Sequence, residues 1–258
     1  MQIRETPTKA TLGLIFAILL LDVVGISMLY PIAAYIVLRY SNNALMVTML
    51  TVIYAAAQFV AAPVLGKLGD RYGRRPVLLV SLLGSAIGYI IFGIGGALWI
   101  LFLSRLIDGI TAGNQSVAAA YIADVSTPAT GAKNFTLIGM AWGIGLVIGP
   151  ASGAALGQWR LDAPAFVAAG LSLLGVALGF FWLPESLPAT QRETAPLRLG
   201  DLNPFGTIIV FVGKPDLGKL LLTLCLFNFA FQGMNSTETL FLIEKFAAQP
   251  WQIGACGV

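Results

Sequence analysis

The sequence has no histidine and only two cysteines in 258 residues, and one residue in ten is charged. Without histidine there is no histidine proton relay and no histidine metal site. Cys225 and Cys256 stand alone, with neither Cys-x-x-Cys spacing nor nearby ligands, so neither a disulfide nor a zinc site is expected. No Gly-x-x-x-x-Gly-Lys-Ser/Thr stretch is present, which argues against an ATP-driven pump on this chain. No metal and no cofactor is expected, and no enzymatic chemistry is suggested. The scarcity of charge is the most informative lack: a soluble domain carries about 25% charged residues, and this chain carries 10%.

What fills the space is apolar sequence, 57% of the residues at a mean hydropathy of +0.85. A bilayer core about 30 Å thick needs roughly 20 apolar residues at about 1.5 Å each. Runs of that size fall at Thr11–Leu38, Ala44–Leu65, Pro76–Gly93, Leu98–Ala123, Phe135–Gly157, Ala163–Leu183 and Gly218–Ile243. Ala44–Leu65 has no charge, and Gln58 is its one strongly polar residue. The spacing predicts seven membrane helices in an all-α integral membrane protein. The first run is too long for a signal peptide and lacks a small-residue cleavage site, so it reads as a retained span.

Turn residues separate the runs at Ser41-Asn42-Asn43, Gly95-Gly96 and Ser126-Thr127-Pro128. A longer polar stretch then divides the chain into a six-helix bundle (1–183), a linker (184–217) and a segment with the seventh helix and the start of another (218–258). Basic residues accumulate on the cytoplasmic side of membranes. With the N-terminus placed there, 11 of the 15 Lys and Arg fall inside, three fall outside (Arg39, Arg160 and Lys245), and Arg105 lies within a helix. A multi-pass protein of the cell (inner or plasma) membrane with a cytoplasmic N-terminus is the expectation. The net charge of +3 belongs to these loops, so no nucleic-acid partner is expected.

Between the second and third runs lies Gly66-Lys-Leu-Gly-Asp70-Arg71-Tyr-Gly73-Arg74-Arg75. Its glycines suit tight turns, Pro76 is placed to open a helix, and Asp70 has three arginines within five residues, able to reach a basic partner or a helix N-terminus. The pattern Gly-x-x-x-Asp-Arg-x-Gly-Arg-Arg resembles the signature loop of the major facilitator superfamily. The resemblance implies a gating role, with the loop latching the two transporter halves together in one state. Gly145, Gly149-Pro150 and Gly153 in the fifth run are similar to the antiporter motif of that superfamily. By spacing alone they form a small-residue stripe for close helix approach, with a proline where a helix can bend. Leu101-x-x-x-Arg105-x-x-Asp108-Gly109 resembles a second signature with a buried arginine near the transport path. Leu21-Asp22-Val-Val-Gly25 through Pro31, Tyr121-Ile-Ala-Asp124, Leu183-Pro-Glu-Ser186 and Leu202-Asn-Pro204 resemble the drug:proton antiporters, in particular the tetracycline-efflux type. A departure is Gly88, where tetracycline exporters carry an acidic residue.

An ionisable side chain in mid-membrane costs about 2.5–3.5 kcal/mol on insertion scales, so it faces a cavity or a partner. Asp22, Arg105, Asp108 and Glu238 are such residues. Arg105 and Asp108, three apart, share one side of a helix and either neutralise each other or serve a cavity. Asp22 has no basic neighbour on its helix; burial disfavours the charged form of a carboxylate, which is the chemistry a proton-coupled carrier needs. Asp22, Arg105 and Asp108 are the proton-coupling candidates. Asn228, Gln232, Asn235 and Thr239 line one stripe of the seventh run, within about 60° on a helical wheel. They act as polar glue between helices or, with Asn114, Gln115 and Glu238, line a substrate cavity.

The resemblance implies a twelve-helix fold of two six-helix halves, of which this sequence covers the first half and helix 7. A lipid bilayer, a small-molecule substrate, protons and a second half, supplied by further sequence or another chain, are the implied partners. The leading function is proton-coupled efflux of small amphipathic compounds by alternating access. A sugar or metabolite carrier of the same fold and a half-length, non-transporting membrane scaffold are the alternatives. The native protein taken from its source membrane is expected to show an intact mass on the order of 40 kDa or more, as a two-half carrier requires, and a mass of 27.3 kDa would contradict this.

Overall fold

A computed structural model describes residues 9–41, 43–193, 215–246 and 252. Nine α-helices appear among them: α1 (Lys9–Ser27), α2 (Tyr30–Leu38), α3 (Ala44–Tyr72), α4 (Arg74–Ile94), α5 (Leu98–Thr111), α6 (Asn114–Val125), α7 (Gly131–Trp159), α8 (Ala163–Trp182) and α9 (Pro215–Phe246). A short 3-10 turn, Ala189–Gln191, follows α8. Five helical segments are long and apolar enough to cross a membrane, with α1 and α2 counted together as Ala10–Leu38.

The seven apolar runs match these helices, with two corrections. The first and fourth runs are each two helices rather than one. Between α1 and α2 the chain tightens, with Leu29 N–H donating to Ile26 O at 3.2 Å. Pro31, in the first turn of α2, has no N–H for the carbonyl four residues back, so the ladder breaks there. Between α5 and α6, Gly113 N–H turns to Thr111 O at 2.7 Å, and Gln58 Nε2 of α3 donates to the Ala112 carbonyl freed at the break, at 3.4 Å. A Cβ on Gly113 would collide with Leu65. α7, by contrast, runs as one helix through Pro150.

The second correction concerns the charged connection. Gly66 and Gly69 lie inside α3, which continues to Tyr72, and the turn into α4 is the single residue Gly73 at φ +105°. At the far end of α4, Gly95 (φ +60°) and Gly96 (φ +99°) stop the helix. Asn43 caps α3 by accepting from Leu45 N–H at 2.9 Å.

α1 packs against α7 and α8, α4 against α5 and α8, and α3 against α5. One apolar core, with Ile15, Ile18, Leu78, Leu82, Val117 and Tyr121, occupies the end near the α3–α4 turn. A second, with Ile32, Val37, Tyr89, Phe92, Leu101 and Ala168, occupies the other end. Along α1, α4 and α5–α6 the buried polar residues fall between the two. The outer face of α4 exposes Val80, Leu83, Ile87, Ile90 and Ile94, an apolar stripe at helical spacing that suits lipid rather than water.

The glycine stripe of α7 faces α1. A Cβ at Gly145 would lie 2.6 Å from Val23 Cγ1, and one at Gly149 or Gly153 would overlap Ser27 Oγ or the Met28 carbonyl. Ser27 Oγ in turn donates to Gly145 O at 3.0 Å. Gly143, on the same helix, has nothing within 4 Å of a built Cβ. Gly153→Ala is therefore expected to destabilise the protein by roughly 1–3 kcal/mol through backbone overlap, and Gly143→Ala to leave it unchanged or firmer. Melting temperatures of the two purified variants in one detergent check the contrast.

Candidate functional site

Four elements bring polar side chains into the space between the two apolar cores. Asp22, 7% exposed on α1, accepts a 2.7 Å hydrogen bond at Oδ1 from Asn114 Nδ2. Asn114 is the first residue of α6, so the break in the fourth span puts its amide at a helix start facing α1. Among the described residues no basic group forms an ion pair with Asp22. Earlier in the same span, Arg105 Nη1 lies 3.1 Å from Asp108 Oδ2. The contact is a close ion pair whose alignment is not that of a hydrogen bond, since Asp108 Oδ2 has no hydrogen-bond partner. The Arg105 guanidinium sits over the Phe92 ring at 4.7 Å and the Tyr89 ring at 5.5 Å, a cation–π setting shielded from water.

Asp22, Arg105, Asp108 and Asn114 are thus buried in one bundle interior, and the hydrogen bond joins the first span to the fourth. Sequence reasoning missed Tyr89, Phe92 and Ser27. Aromatic residues in an apolar run carry no mark of a cationic neighbour, and the sole available signal was the i, i+3 spacing of Tyr89 and Phe92. Gln115 is half-buried beside Asn114 and makes no side-chain hydrogen bond to the described residues. The stripe on the seventh run is not brought to this cluster: α9 touches α2, and Asn228 Nδ2 donates to its own helix at Leu224 O, 2.9 Å away. The side chains of Gln232, Asn235, Glu238 and Thr239 lie outside the described residues. So do Arg4, the linker over 194–214 and Trp251.

A separate charged assembly closes the end that carries the α3–α4 turn. Arg74, nearly buried, pairs with Asp70 at 2.7 Å and with Asp124 of α6 at 3.0 Å. Ser186 also donates to Asp124 at 3.1 Å. Glu185, just past α8, accepts from the N–H groups of Arg74 at 2.8 Å and Arg75 at 3.3 Å, capping the start of α4. In return Arg75 Nε donates to Gly179 O at 3.2 Å, and its Nη2 to Phe180 O, satisfying the last turns of α8. A Cβ on Gly73 would overlap the Glu185 carboxylate. Arg71 has turned outward onto the Tyr72 ring at 5.8 Å. Lys67 pairs with Glu193 at 3.3 Å, and Glu193 N–H donates to Asp70 O at 3.0 Å, so the segment after α8 folds across the turn.

At the opposite end a cavity of about 400 Å³ is lined by Arg39, Tyr40, Phe92, Trp159, Arg160 and Asp162 among others. Arg160 hydrogen-bonds Asp162 through Nε and Nη2 and holds its carboxyl below the usual carboxylate range. The pair is exposed and worth little by itself.

A family model described as Major Facilitator Superfamily matches residues 15–257. The chain belongs to the major facilitator superfamily. It is 35% identical over 237 residues to the tetracycline resistance protein, class C, of Escherichia coli, covering 91% of this chain and 59% of that protein. To the class B protein of the same species it is 36% identical over 186 residues, 71% of this chain and 46% of that one. To the human major facilitator superfamily domain-containing protein 10 it is 30% identical over 233 residues, 84% of this chain and 50% of that one. The chain therefore spans about half the length of the curated relatives it matches. The crystal structure of the human organic anion transporter MFSD10 (TETRAN) superposes with a TM-score of 0.78 at 24% identity, covering all of this chain and 69% of that one. That likeness shows the shared fold.

Within the polar cluster Gly88 of α4 lies close against α5. A Cβ there would lie 2.9 Å from Asp108 Cβ and 3.1 Å from Ser104 O. A side chain at position 88 would therefore press on the α5 backbone at Ser104 and Asp108. At the charged end, Glu185→Ala removes the cap of α4 and is expected to cost about 1 kcal/mol, with Glu185→Gln costing less because an acceptor remains. Thermal unfolding of both variants tests the order.

Proposed function

We propose that the chain is the N-terminal part of a proton-coupled exporter of small amphipathic compounds, a secondary carrier rather than an enzyme. It works by alternating access in a cell membrane with the N-terminus in the cytoplasm. The observation that carries this reading is Asp22: a buried carboxylate with no ion-pair partner among the described residues, held by Asn114 across two interrupted spans. Carriers of this kind place their sites near the bilayer midplane beside discontinuous helices, and an unpaired intramembrane carboxylate is a site for loading and releasing a proton. The similarity to tetracycline resistance proteins supports export.

In this mechanism Asn114 steadies one oxygen of Asp22 and leaves the other for the proton. Arg105, balanced by Asp108, supplies positive potential that favours release. The Gly145–Gly149–Gly153 seam lets α7 and the broken first span move as closely packed bodies. The assembly around Asp70 and Arg74 is the gate: Arg74 is engaged within this half by Asp70 and Asp124, and the opposing half completes the latch in the closed state. That half comes from further sequence or from a second chain. Charge sidedness supports the cytoplasmic placement of this end, since Lys67, Arg71, Arg74, Arg75, Lys133 and Arg192 gather there.

Asp22→Asn is expected to abolish efflux driven by an imposed proton gradient in proteoliposomes while leaving substrate counterflow without a gradient in place. Proton-driven efflux that survives in Asp22→Asn at the wild-type rate would refute the assignment of Asp22.

A further inference from the structure

The cavity of about 400 Å³ at the end away from the α3–α4 turn has no part in the proposed proton coupling. It lies where the C-terminal ends of α2, α4 and α7 meet the start of α8, and Arg39, Arg160 and Asp162 are its charged lining residues. The Arg160 fork is already taken: Nε donates to Asp162 Oδ1 at 3.1 Å and Nη2 to Oδ2 at 2.7 Å. These bonds hold the Asp162 carboxyl in its ionised form, with a smaller share from the nearby Arg39 charge. Arg39, exposed at the end of α2, forms no ion pair and no side-chain hydrogen bond among the described residues. One carboxylate against two guanidiniums leaves the cavity with a positive charge uncompensated. Most of the chain's Lys and Arg gather at the opposite end, so these two arginines do not serve to set its orientation.

The remaining walls have the character of a membrane surface. Ile94, 67% exposed, belongs to the lipid-facing stripe of α4, and Trp159 is 86% exposed; both line the cavity. Tyr40 is fixed in place by the Gly96 N–H, which donates to its hydroxyl at 2.9 Å. Trp and Tyr at helix ends sit at the headgroup level of a bilayer. The cavity thus joins a cationic wall to the surface that contacts acyl chains, which suits an anion that carries apolar chains of its own.

We infer that this cavity binds the headgroup of an anionic phospholipid of the phosphatidylglycerol type, its phosphodiester on Arg39 and on the Nη1 of Arg160 that Asp162 does not engage. The diester carries one negative charge, which matches the charge left over, and arginine is the side chain best shaped for phosphate oxygens. A cavity of this size takes a small polar headgroup, and the acyl chains stay outside it along α4 past Ile94. The glycerol hydroxyls meet Asp162, whose oxygens have lone pairs to spare.

The test titrates the purified protein in a neutral detergent with dioleoylphosphatidylglycerol or dioleoylphosphatidylcholine and counts bound lipids by native mass spectrometry. The two share the phosphate and the chains, but the choline ammonium cancels the charge. The first phosphatidylglycerol is expected to bind about tenfold tighter than the first phosphatidylcholine, as charge-assisted hydrogen bonds to an uncompensated cation imply. Arg39→Gln is expected to bring the two lipids within a few-fold of each other, and Arg39→Lys to keep most of the preference. Lys133→Gln, which removes an exposed charge at the opposite end, is expected to leave it unchanged. Equal binding of the two lipids by the wild-type protein overturns the assignment. An undiminished preference in Arg39→Gln, or a loss in Lys133→Gln as large as in Arg39→Gln, overturns it as well. Dimethyl phosphate, the same diester without chains, is expected to leave the bound lipid in place at equal concentration. Displacement by it would overturn a lipid as the occupant and assign the cavity to a soluble phosphate ester. None of these readouts involves transport, so a failure of the Asp22 assignment would leave the lipid site standing.

Discussion

The hydrogen bond from Asn114 to Asp22 is the contact on which the interior depends. A bilayer offers no water to a stranded carboxylate, so the fold must bring a donor to it. The donor comes from the first residue of a helix that begins in mid-span, which requires the fourth span to break at Ala112–Gly113. The first span breaks as well, between Ser27 and Tyr30, where Pro31 has no N–H to continue the ladder. Both interruptions leave backbone groups that side chains or tight turns must satisfy, and Gln58 on α3 meets one of them. Polar interior, broken helices and the neighbours that mend them form one arrangement.

The charged end follows a related logic at the membrane surface. Helix ends leave unpaired N–H and C=O groups, and α4 and α8 resolve this reciprocally: Glu185 caps the start of α4 while Arg75 satisfies the end of α8. This explains why two adjacent arginines have different tasks, Arg74 in ion pairs with Asp70 and Asp124, and Arg75 on carbonyls. It also explains Gly73, which must turn with positive φ and leave room for the Glu185 carboxylate. A turn of one residue that couples three helices is well suited to register their relative movement, which is the link between this packing and the proposed gate.

Close approach without side chains supplies the remaining constraint. In lipid, helices gain little from burying apolar surface against each other, so contact depends on dispersion and short polar links. The α1–α7 seam has both: three glycines that admit Val23, Ser27 and Met28, and the Ser27 hydroxyl bonded to the Gly145 carbonyl. Gly88 applies the same principle inside the polar cluster, where its lack of a side chain leaves the space that Asp108 fills.

Local signals were enough for a good part of this. Long apolar runs separated by turn residues marked the spans, because the bilayer acts on each stretch of chain separately. The i, i+3 spacing of Arg105 and Asp108 placed them within reach of each other, and the four-residue repeat of Gly145, Gly149 and Gly153 marked a close helix contact. The two breaks were less legible: Pro31 was visible, but whether a proline breaks a helix depends on its surroundings, and α7 passes through Pro150 intact. The pairing of Asp22 with Asn114, 92 residues apart, the capping of α4 by Glu185, and the aromatic rings near Arg105 join positions distant in sequence. No periodicity records such meetings. The sequence by itself determined that the chain lives in a membrane and which faces of its helices are small, apolar or charged, since those properties follow from each residue's own partition between water and lipid. The tertiary structure alone decided which buried charge meets which partner, because that depends on the register in which the helices pack.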